Sequence, residues 1–292
     1  MSNYVPPPDG LATQHDGTQG LAINNTRFNR FLTLLALKTT ARFCWRCGSC
    51  KRISRHKIVK SDPWTHLTEA ATMKFVSENT SLPVPRVYCS FVRKNRAYIV
   101  MERIRGEEVP SAWGNLNEQS RQKVFDELKS MMNELRSLKT PKGNGVSSCA
   151  GGSLRDSRIP MSRPRFGPFG SVNEFHLWLR NYLNPAEHST WGEEGEWEEI
   201  KQMAAKQDKP WPEPVFTHGD LNPSNVLLHN GRVVGIIDWE FSGWYPHYWE
   251  YTSAWLGNVT RTEWRDRLCE TLDQFPAELE MEKIRHRWWG DF

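Results

Sequence analysis

Long hydrophobic runs are missing from this sequence. The best apolar run near its start, Phe31–Leu37, has only seven residues, whereas a helix that crosses a bilayer needs about 20. Residues 1–20 are polar and include three consecutive prolines, which is not the pattern of a secretory signal peptide. We therefore expect neither a membrane-spanning protein nor one that a leader directs to secretion.

A disulfide framework and a large net charge are missing as well. The six cysteines, without a secretory signal, are expected to be reduced thiols in a cytoplasmic protein. Lys and Arg number 38 and Asp and Glu number 34, so the net charge is +4, and we interpret this surplus as dispersed. A small, dispersed surplus does not suggest a nucleic-acid partner, and without a long apolar run we expect no membrane partner.

Tryptophan, in contrast, is abundant: 14 of the 292 residues are Trp, and ten of these lie between Trp191 and Trp289. Such an aromatic content can bury enough apolar surface to fold, which excludes a long disordered chain. The length is sufficient for one large domain or for two lobes, each with a sizeable core.

The pattern along the chain predicts an α+β protein with two lobes. Residues 1–20 are expected to form a flexible tail. Residues 21–101 combine a helix over 22–38, a small antiparallel sheet and a helix over 69–77. Residues 107–292 are mostly helical and contain one β-hairpin.

Two features of the second lobe depend on spacing alone. Apolar residues at helical spacing predict a long amphipathic helix from Asn117 to Leu138, and the Gly-, Ser- and Pro-rich residues 140–170 predict a long ordered loop. His176, His188 and His247 match no metal or catalytic pattern, so we expect ordinary surface or loop histidines.

The polar residues that carry chemistry surround the predicted hairpin. The segment that leads into it reads His218-Gly-Asp220-Leu-Asn-Pro-Ser-Asn225, and Asp238 follows its returning strand. The two ends of a hairpin lie close together, and carboxylate and amide oxygens are the ligands that Mg²⁺ prefers when it carries phosphates. Upstream, a Lys at the end of a strand, Lys60, and a Glu on the following helix, Glu69, could hold nucleotide phosphates. The alternative interpretation is a capped turn with hydrogen-bonded Asp and Asn.

At these residues the sequence resembles the aminoglycoside phosphotransferase and choline kinase-like family, above all its fungal members. The resemblance covers about residues 27–289 and implies a bilobal protein kinase-like fold, with ATP and Mg²⁺ between the lobes. It implies that Asp220 is the catalytic base and that His218 fixes the catalytic loop. It also implies that Asn225 and Asp238 bind Mg²⁺.

The same resemblance implies transfer of the γ-phosphoryl group of ATP to a hydroxyl group of a small molecule. The residues that it assigns to the nucleotide are Lys60, its partner Glu69 and, at a hinge of residues 102–106, Met101, Glu102 and Ile104.

Departures from the kinase pattern define the alternatives. The segment Arg46–Lys51, where a Gly-rich phosphate loop is expected, contains a single glycine, Gly48. A nucleotide-binding pseudokinase or scaffold is therefore the second hypothesis. A protein kinase is disfavoured, because Gly219 stands where an Arg would await an activation-loop phosphate, and Asn222 stands where protein kinases have Lys.

The cysteines of the first lobe permit another interpretation. Cys44, Cys47 and Cys50, with His56 nearby, have the spacing of metal ligands. They also alternate along a predicted hairpin, which is compatible with ordinary strand cysteines or with a redox-sensitive thiol. A zinc-stabilised interaction protein is thus a third hypothesis.

Aromatic residues cluster directly after Asp238. Such a cluster could surround a cationic amine of the substrate, or it could simply pack in the core. Trp249 and Trp255 are expected in the core of the second lobe. The candidates for the substrate wall are Trp239, Glu240, Trp244 and Tyr245.

Overall fold

The computed structural model describes residues 10–42, 46–159, 165–186 and 194–290, which form two lobes. The first lobe is a five-stranded antiparallel sheet with helices against it. Its elements are α1 (Gly10–Thr13), α2 (Arg27–Lys38), β1 (Arg46–Cys47), β2 (Cys50–Arg52), β3 (Lys57–Lys60), α3 (Leu67–Asn79), β4 (Val87–Val92) and β5 (Ala97–Glu102).

The second lobe is mainly helical and contains two small sheets. Its helices are α4 (Val109–Ala112), α5 (Glu118–Arg136), α6 (Val172–Leu179), α7 (Glu194–Gln207), α8 (Trp249–Gly257), α9 (Thr262–Thr271) and α10 (Pro276–Trp289). Its strands are β6 (Glu107–Glu108), β7 (Val215–Thr217), β8 (Val226–His229), β9 (Arg232–Ile236) and β10 (Gly243–Tyr245).

The first-lobe sheet has the strand order β1-β2-β3-β5-β4 and carries helices on both faces. Alternate residues of a strand point to opposite faces. Ile99 of β5 therefore packs with Ala70 and Met73 of α3, whereas Val100 joins the opposite cluster, against which Leu37 of α2 packs. This arrangement fixes α3 beside β3 on the face that meets the second lobe.

The chain passes from one lobe to the other between Glu102 and Glu107. Glu102 pairs with Lys57 in the first sheet, and Glu107 pairs with Leu228 in the second lobe. The β8–β9 hairpin turns at the Asn-Gly pair, where both Asn230 and Gly231 have positive φ, as the tight turn requires. Asp238 comes two residues after the hairpin's last strand residue, Ile236.

The two-lobed α+β architecture predicted from the sequence is confirmed, with shifts at element ends. The first predicted helix begins at Arg27 rather than at residue 22, because the Thr26 side chain caps it by accepting a hydrogen bond from the Asn29 amide. Residues 43–45, in the region of the predicted small sheet, lie outside the described residues. No helix in the described ranges is both long and apolar enough to cross a bilayer.

Residues 10–20, which belong to the segment predicted as a flexible tail, contain ordered helical turns. His15 is 4% exposed, and its ring stacks on that of His66 at 5.2 Å between centroids. The Nε2 atom of His66 lies 2.9 Å from the Gln14 carbonyl oxygen. Buried aromatic and polar contacts therefore hold this segment against the start of α3, which corrects the expectation for these residues.

His176 is a buried residue rather than the surface histidine expected from the sequence. Its Nε2 atom lies 2.6 Å from the Tyr248 hydroxyl, and its Nδ1 atom lies 3.2 Å from the Gln207 carbonyl oxygen. Burial lowers the pKa of His176 to about 3. His247 is half-buried, because Trp211 and Phe275 contact its ring, and His188 lies outside the described residues.

This burial predicts a pH-dependent difference between the wild type and His176→Gln. Because the pKa of folded His176 lies below its ordinary value of 6.5, its contribution to stability is complete above pH 6.5 and is lost as the pH falls toward 3. The destabilisation caused by His176→Gln should therefore shrink by about 1.4 kcal/mol between roughly pH 7.5 and 5.5. Urea unfolding of both proteins at each pH measures this difference, and a constant difference would contradict the burial of a neutral imidazole.

Candidate active site

The segment before β8 holds Asp220 in a network of local hydrogen bonds. The side-chain amides of Asn222 and Asn225 donate to Asp220 Oδ2 at 3.1 and 2.9 Å, and Asn225 also donates to the Asp220 carbonyl oxygen at 2.9 Å. The Asn222 side chain in turn caps the short helical turn that begins at Pro223. The carboxylate of Asp220 is thus fixed in position by two amides from its own loop.

His218 and Glu250 fix this segment from beneath. His218 is fully buried; its Nδ1 accepts a hydrogen bond from the Asp220 amide at 3.2 Å, and its Nε2 lies 3.1 Å from the Ile237 carbonyl oxygen. Glu250 is also buried, and its carboxylate accepts the His218 amide at 2.6 Å and the Gly219 amide at 3.1 Å. Glu250 therefore has a structural role, because it holds the backbone that leads into Asp220.

Lys60 lies at the centre of a cluster of carboxylates. Its Nζ donates to Glu69 Oε1 at 3.0 Å, to Asp238 Oδ1 at 2.6 Å and to Glu240 Oε2 at 3.3 Å. The Lys60 and Glu69 side chains are 6% and 2% exposed, whereas Asp238 is 38% exposed. The structure thus joins the strand, the helix and the end of the hairpin at one buried ammonium group.

The charges in this cluster shift one another's pKa values. Burial alone would lower the pKa of Lys60, but the carboxylates of Glu69, Asp238 and Glu240 outweigh it and raise that pKa. Burial and the neighbouring carboxylates raise the pKa of Glu69 to about 8, although Lys60 opposes this shift. Lys60 and, through Glu240, Arg155 are the two cations of this cluster, so its three carboxyl groups exceed the basic groups by one.

This excess is suited to a divalent cation. Within the described residues, Glu69, Asp238 and Glu240 form the one group of three or more His, Cys, Asp and Glu whose potential ligand atoms all lie within 4.8 Å of one another. Glu69 Oε2 is buried without a hydrogen-bond partner. Asn225 is adjacent, because its carbonyl oxygen accepts the amide of Ile237, the residue before Asp238. These oxygen donors fit Mg²⁺.

Asp238 has an unusual backbone conformation for a residue with a side chain. Its φ and ψ are 65° and 64°, in the left-handed region. Such conformations are costly and concentrate at functional sites. Here the conformation ends the hairpin strand and directs the carboxylate to Lys60.

Two arginines of the loop over residues 140–170 belong to the site, although no sequence pattern indicated them. Arg155 Nη1 lies 2.5 Å from Glu240 Oε1, and its guanidinium lies 5.2 Å from the Trp64 ring centroid. Arg158 donates to the Gly219 carbonyl oxygen at 2.5 Å and pairs with the fully buried Asp156. The loop therefore braces both Glu240 and the backbone beside Asp220.

The predicted hinge residues lie where the chain crosses between the lobes. Met101 is 6% exposed and packs in the core, and Glu102 ends β5. The Glu102 amide donates to the Arg86 carbonyl oxygen, and the next amide, that of Arg103, donates to the His56 carbonyl oxygen. Ile104 packs closely on Gly235, where an added Cβ would lie 2.7 Å from Ile104 Cδ1. Adenine binding by these residues stays a prediction.

The aromatic residues expected at the substrate wall lie in the interior instead. Trp239 is 1% exposed, and Trp244 and Tyr245 are 0% exposed. Their rings pack on His218, Phe216 and Trp249, respectively. Apolar burial therefore accounts for these residues, and of the four candidates only Glu240 is partly exposed, at 18% of its side chain.

Trp249 and Trp255 both pack in the second lobe, as the sequence predicts. Trp249 is 3% exposed and stacks on Tyr245. Trp255 is half-buried against the main core, with the cations of Arg265 and Lys283 over its ring at 5.2 and 4.3 Å.

Cys50 is the cysteine of this set whose environment bears on the metal and redox hypotheses. Cys44 lies outside the described residues, and Cys50 is a free thiol whose pKa burial raises to about 12. His56 lies 3.4 Å from Arg105. The high pKa of Cys50 disfavours a reactive thiolate at this position.

Gly219 is required at the backbone beside Asp220. Its φ is +82°, and a Cβ there would lie 2.9 Å from the Phe241 carbonyl oxygen. We expect Gly219→Ala to lower the free energy of unfolding by about 1–3 kcal/mol, because both the conformation and the contact become strained. Denaturant unfolding measures this change.

Gly195, in α7, provides the matched control. No atom lies within 4 Å of a Cβ added there. Gly195→Ala should leave the protein equally stable or raise the free energy of unfolding by up to about 1 kcal/mol. Equal effects of the two substitutions would contradict the strain assigned to Gly219.

Comparison with solved structures identifies the fold. The crystal structure of aminoglycoside phosphotransferase APH(4)-Ia superposes with a TM-score of 0.59 at 13% identity, covering 89% of this chain and 88% of that one. The gentamicin complex of APH(2")-IIa superposes with a TM-score of 0.55 at 14% identity, covering 90% and 86%. These likenesses confirm the bilobal kinase-like fold.

Sequence comparison identifies the family. Aminoglycoside 3'-phosphotransferases of Enterococcus faecalis and Staphylococcus aureus are 35% and 33% identical over 78 residues, which is 25% of this chain and 30% of each relative. The match thus spans less than a third of the length of these curated relatives. The sequence profile of the phosphotransferase enzyme family matches residues 65–285, which include α3, the Asp220 loop and Asp238. The chain therefore belongs to the phosphotransferase enzyme family.

Proposed function

We propose that this protein is an ATP- and Mg²⁺-dependent phosphotransferase that moves the γ-phosphoryl group to a hydroxyl group of a small molecule. One observation carries the proposal: a continuous series of contacts joins Asp220 to Glu69. Asp220 binds Asn225, Asn225 pairs with Ile237 next to Asp238, and Asp238 binds Lys60, which binds Glu69. Family membership supports this reading of the series.

Asp220 is the proposed general base. Two side-chain amides donate to its Oδ2 atom, which fixes the orientation of the carboxylate. It orients the acceptor hydroxyl and receives its proton as the oxygen attacks phosphorus. His218 acts only through position, because its ring bonds link the Asp220 amide to the Ile237 carbonyl oxygen.

Asn225 and Asp238 would hold Mg²⁺, with Glu240 and Glu69 as further oxygen donors nearby. Bound Mg²⁺ supplies positive charge that neutralises phosphate oxygens and orients the transferred group. Lys60, steadied by Glu69, provides a fixed ammonium that balances the charge developing on those oxygens. Met101, Glu102 and Ile104 are proposed to contact adenine.

A transfer screen tests this function. The full chain is incubated with ATP and pooled hydroxyl compounds, aminoglycosides among them, with Mg²⁺ or with a chelator. Mass spectrometry then detects compounds that gain one phosphoryl group. We expect Mg²⁺-dependent gain by a limited set of compounds. Aminoglycosides are included because the two bacterial relatives are aminoglycoside 3'-phosphotransferases.

A second candidate function is a nucleotide-binding scaffold with little or no turnover. The β1–β2 turn supports it, because Gly48 is its single glycine. Mg²⁺-dependent ATP binding without transfer to any pool and without slow ATP hydrolysis would favour this candidate over the enzyme.

A further inference from the structure

The positive charge of this protein is concentrated in one lobe. Residues 21–101 contain 15 Lys and Arg against three Asp and Glu, a net charge of +12, whereas the rest of the chain has 23 against 31, a net charge of −8. Residues 17–61 contain ten Lys and Arg and no acidic residue. The expectation of a dispersed surplus is therefore corrected, and a separation of charge on this scale indicates an anionic partner.

An apolar stripe lies on the same lobe. Phe28, Phe31, Leu32 and Leu35 follow one another at helical spacing on α2, and they are 66%, 61%, 44% and 44% exposed. They make up four of the seven large hydrophobic side chains that are exposed among the described residues. Such a stripe, which spans about 10 Å along the helix, is unusual for a surface in contact with water alone.

The opposite face of α2 attaches it firmly to the sheet. Thr33 is 4% exposed, with its hydroxyl 3.9 Å from Cys89 Sγ, and Leu37 packs on the cluster that contains Phe91 and Val100. The catalytic contacts of Lys60 and Glu69 lie on the other face of the sheet, with α3. The stripe therefore points away from the cleft, and an occupant there leaves the cleft open.

Basic residues surround both ends of α2. The Arg30 guanidinium lies 5.8 Å from the Phe91 ring, so the β4–β5 turn with its exposed Arg93, Lys94 and Arg96 is near the first turns of the helix. At the other end, the Thr40 hydroxyl donates to the Ile53 carbonyl oxygen at 3.1 Å, next to the exposed Arg55 and Lys57.

We propose that α2 and the basic turns beside it bind an anionic lipid surface. A helix with Phe and Leu on one face and cations around it inserts that face at the headgroup boundary while the cations meet acidic headgroups. Nucleic acid, the alternative partner, would explain the cations, and its bases could stack on Phe28 and Phe31. It offers no apolar surface to Leu32 and Leu35, whereas a lipid surface does. This contact needs no spanning helix, and it is independent of the proposed phosphotransferase activity.

Vesicle sedimentation tests the proposal. The full chain should bind phosphatidylcholine vesicles that contain phosphatidylserine, bind pure phosphatidylcholine vesicles far more weakly, and dissociate as salt is raised. Phe28→Ser with Phe31→Ser should weaken binding at least about tenfold. Arg93→Glu, Lys94→Glu and Arg96→Glu together should weaken it roughly 100-fold at low salt.

Matched variants separate this surface from general effects. Val259→Ser removes a hydrophobic side chain that is 51% exposed in the other lobe and should leave vesicle binding unchanged. Leu32→Ser with Leu35→Ser is a second stripe variant, in case the Phe pair disturbs folding, and thermal melting checks both. None of these substitutions touches the contacts of Lys60, Asp220 or Asp238, so ATP binding should persist.

Three results would overturn the proposal. The first is equal binding to vesicles with and without phosphatidylserine, or none to either. The second is tight binding of duplex DNA or RNA that competes with vesicles and is unaffected by the Phe28 and Phe31 substitutions, because the basic surface would then serve nucleic acid. The third is a lipid-free dimer that these substitutions dissociate, because the stripe would then be a contact between two copies of this chain.

Discussion

Asp220→Asn should lower the turnover of phosphoryl transfer by roughly 10²–10⁴-fold, or about 3–5 kcal/mol in activation free energy. The amide cannot accept the acceptor's proton, whereas its carbonyl oxygen can still accept the hydrogen bonds that Asn222 and Asn225 donate. ATP binding should be largely retained, because no contact of Lys60 or Asp238 is altered. The rate of transfer to the acceptor found by the screen, or of ATP hydrolysis, measures the effect.

Asp126→Asn is the control for this substitution. Asp126 lies exposed on α5, where Gln122 donates to its Oδ1 at 3.0 Å. The same chemical change there should leave turnover and ATP binding as in the wild type. Full turnover in Asp220→Asn would remove Asp220 from the role of base, and loss of ATP binding would mean that the substitution damages the loop.

Local patterns explain why much of the site could be predicted. The Asn-Gly turn fixes the β8–β9 hairpin, and the hairpin brings its two ends together. Asp220 and Asn225 lie five residues apart in one loop. Their contact therefore depends mainly on local sequence and could be predicted from it. Helical spacing also located α3 to within two residues at each end.

Long-range contacts explain what the sequence did not predict. Arg155 lies 85 residues before Glu240, and its loop has no periodic pattern that would direct a side chain toward the cluster. The local sequence around His176 is that of a surface histidine. Its burial depends on Tyr248, which lies 72 residues later in the chain and contacts its ring. For Trp239, Trp244 and Tyr245 the sequence suggests a substrate wall, but residue spacing alone does not distinguish a wall from the core in which they are buried.

The carboxylate cluster around Lys60 carries an electrostatic cost. Burial and the neighbouring carboxylates keep the pKa of Glu69 at about 8, so the cluster without a divalent cation retains a carboxylate that is costly to ionise. A cation with the donor set of Glu69, Asp238 and Glu240 would relieve that cost. The protein should therefore gain stability from Mg²⁺, and Lys60 is the group that holds the cluster together in its absence.

Lys60→Met should have the largest effect on stability and should also lower activity. Removal of a buried ammonium leaves Glu69 without its cation and should lower the free energy of unfolding by about 3–5 kcal/mol near pH 8.5. Transfer should fall by roughly 10²–10³-fold, because the fixed positive charge beside the proposed phosphate site is lost. Urea unfolding and the transfer assay measure the two effects.

The destabilisation by Lys60→Met should also depend on pH. The folded-state pKa of Glu69 already lies above its ordinary value of 4.5 and rises further without Lys60, so the folded state takes up a proton as the pH falls. The loss of stability should therefore be greatest at alkaline pH and smaller near about pH 6.

A double variant and a surface pair separate the buried charge from general damage. Glu69→Gln added to Lys60→Met removes the unpaired carboxylate and should restore part of the stability, but not the transfer rate. Lys74→Met breaks the exposed Lys74–Glu78 pair, whose atoms are 3.7 Å apart, and should cost no more than about 0.5 kcal/mol. If Lys60→Met were as mild as Lys74→Met at every pH, Lys60 would not be the cation that neutralises this cluster. If the double variant were no more stable than Lys60→Met alone, the loss would come from packing rather than from charge.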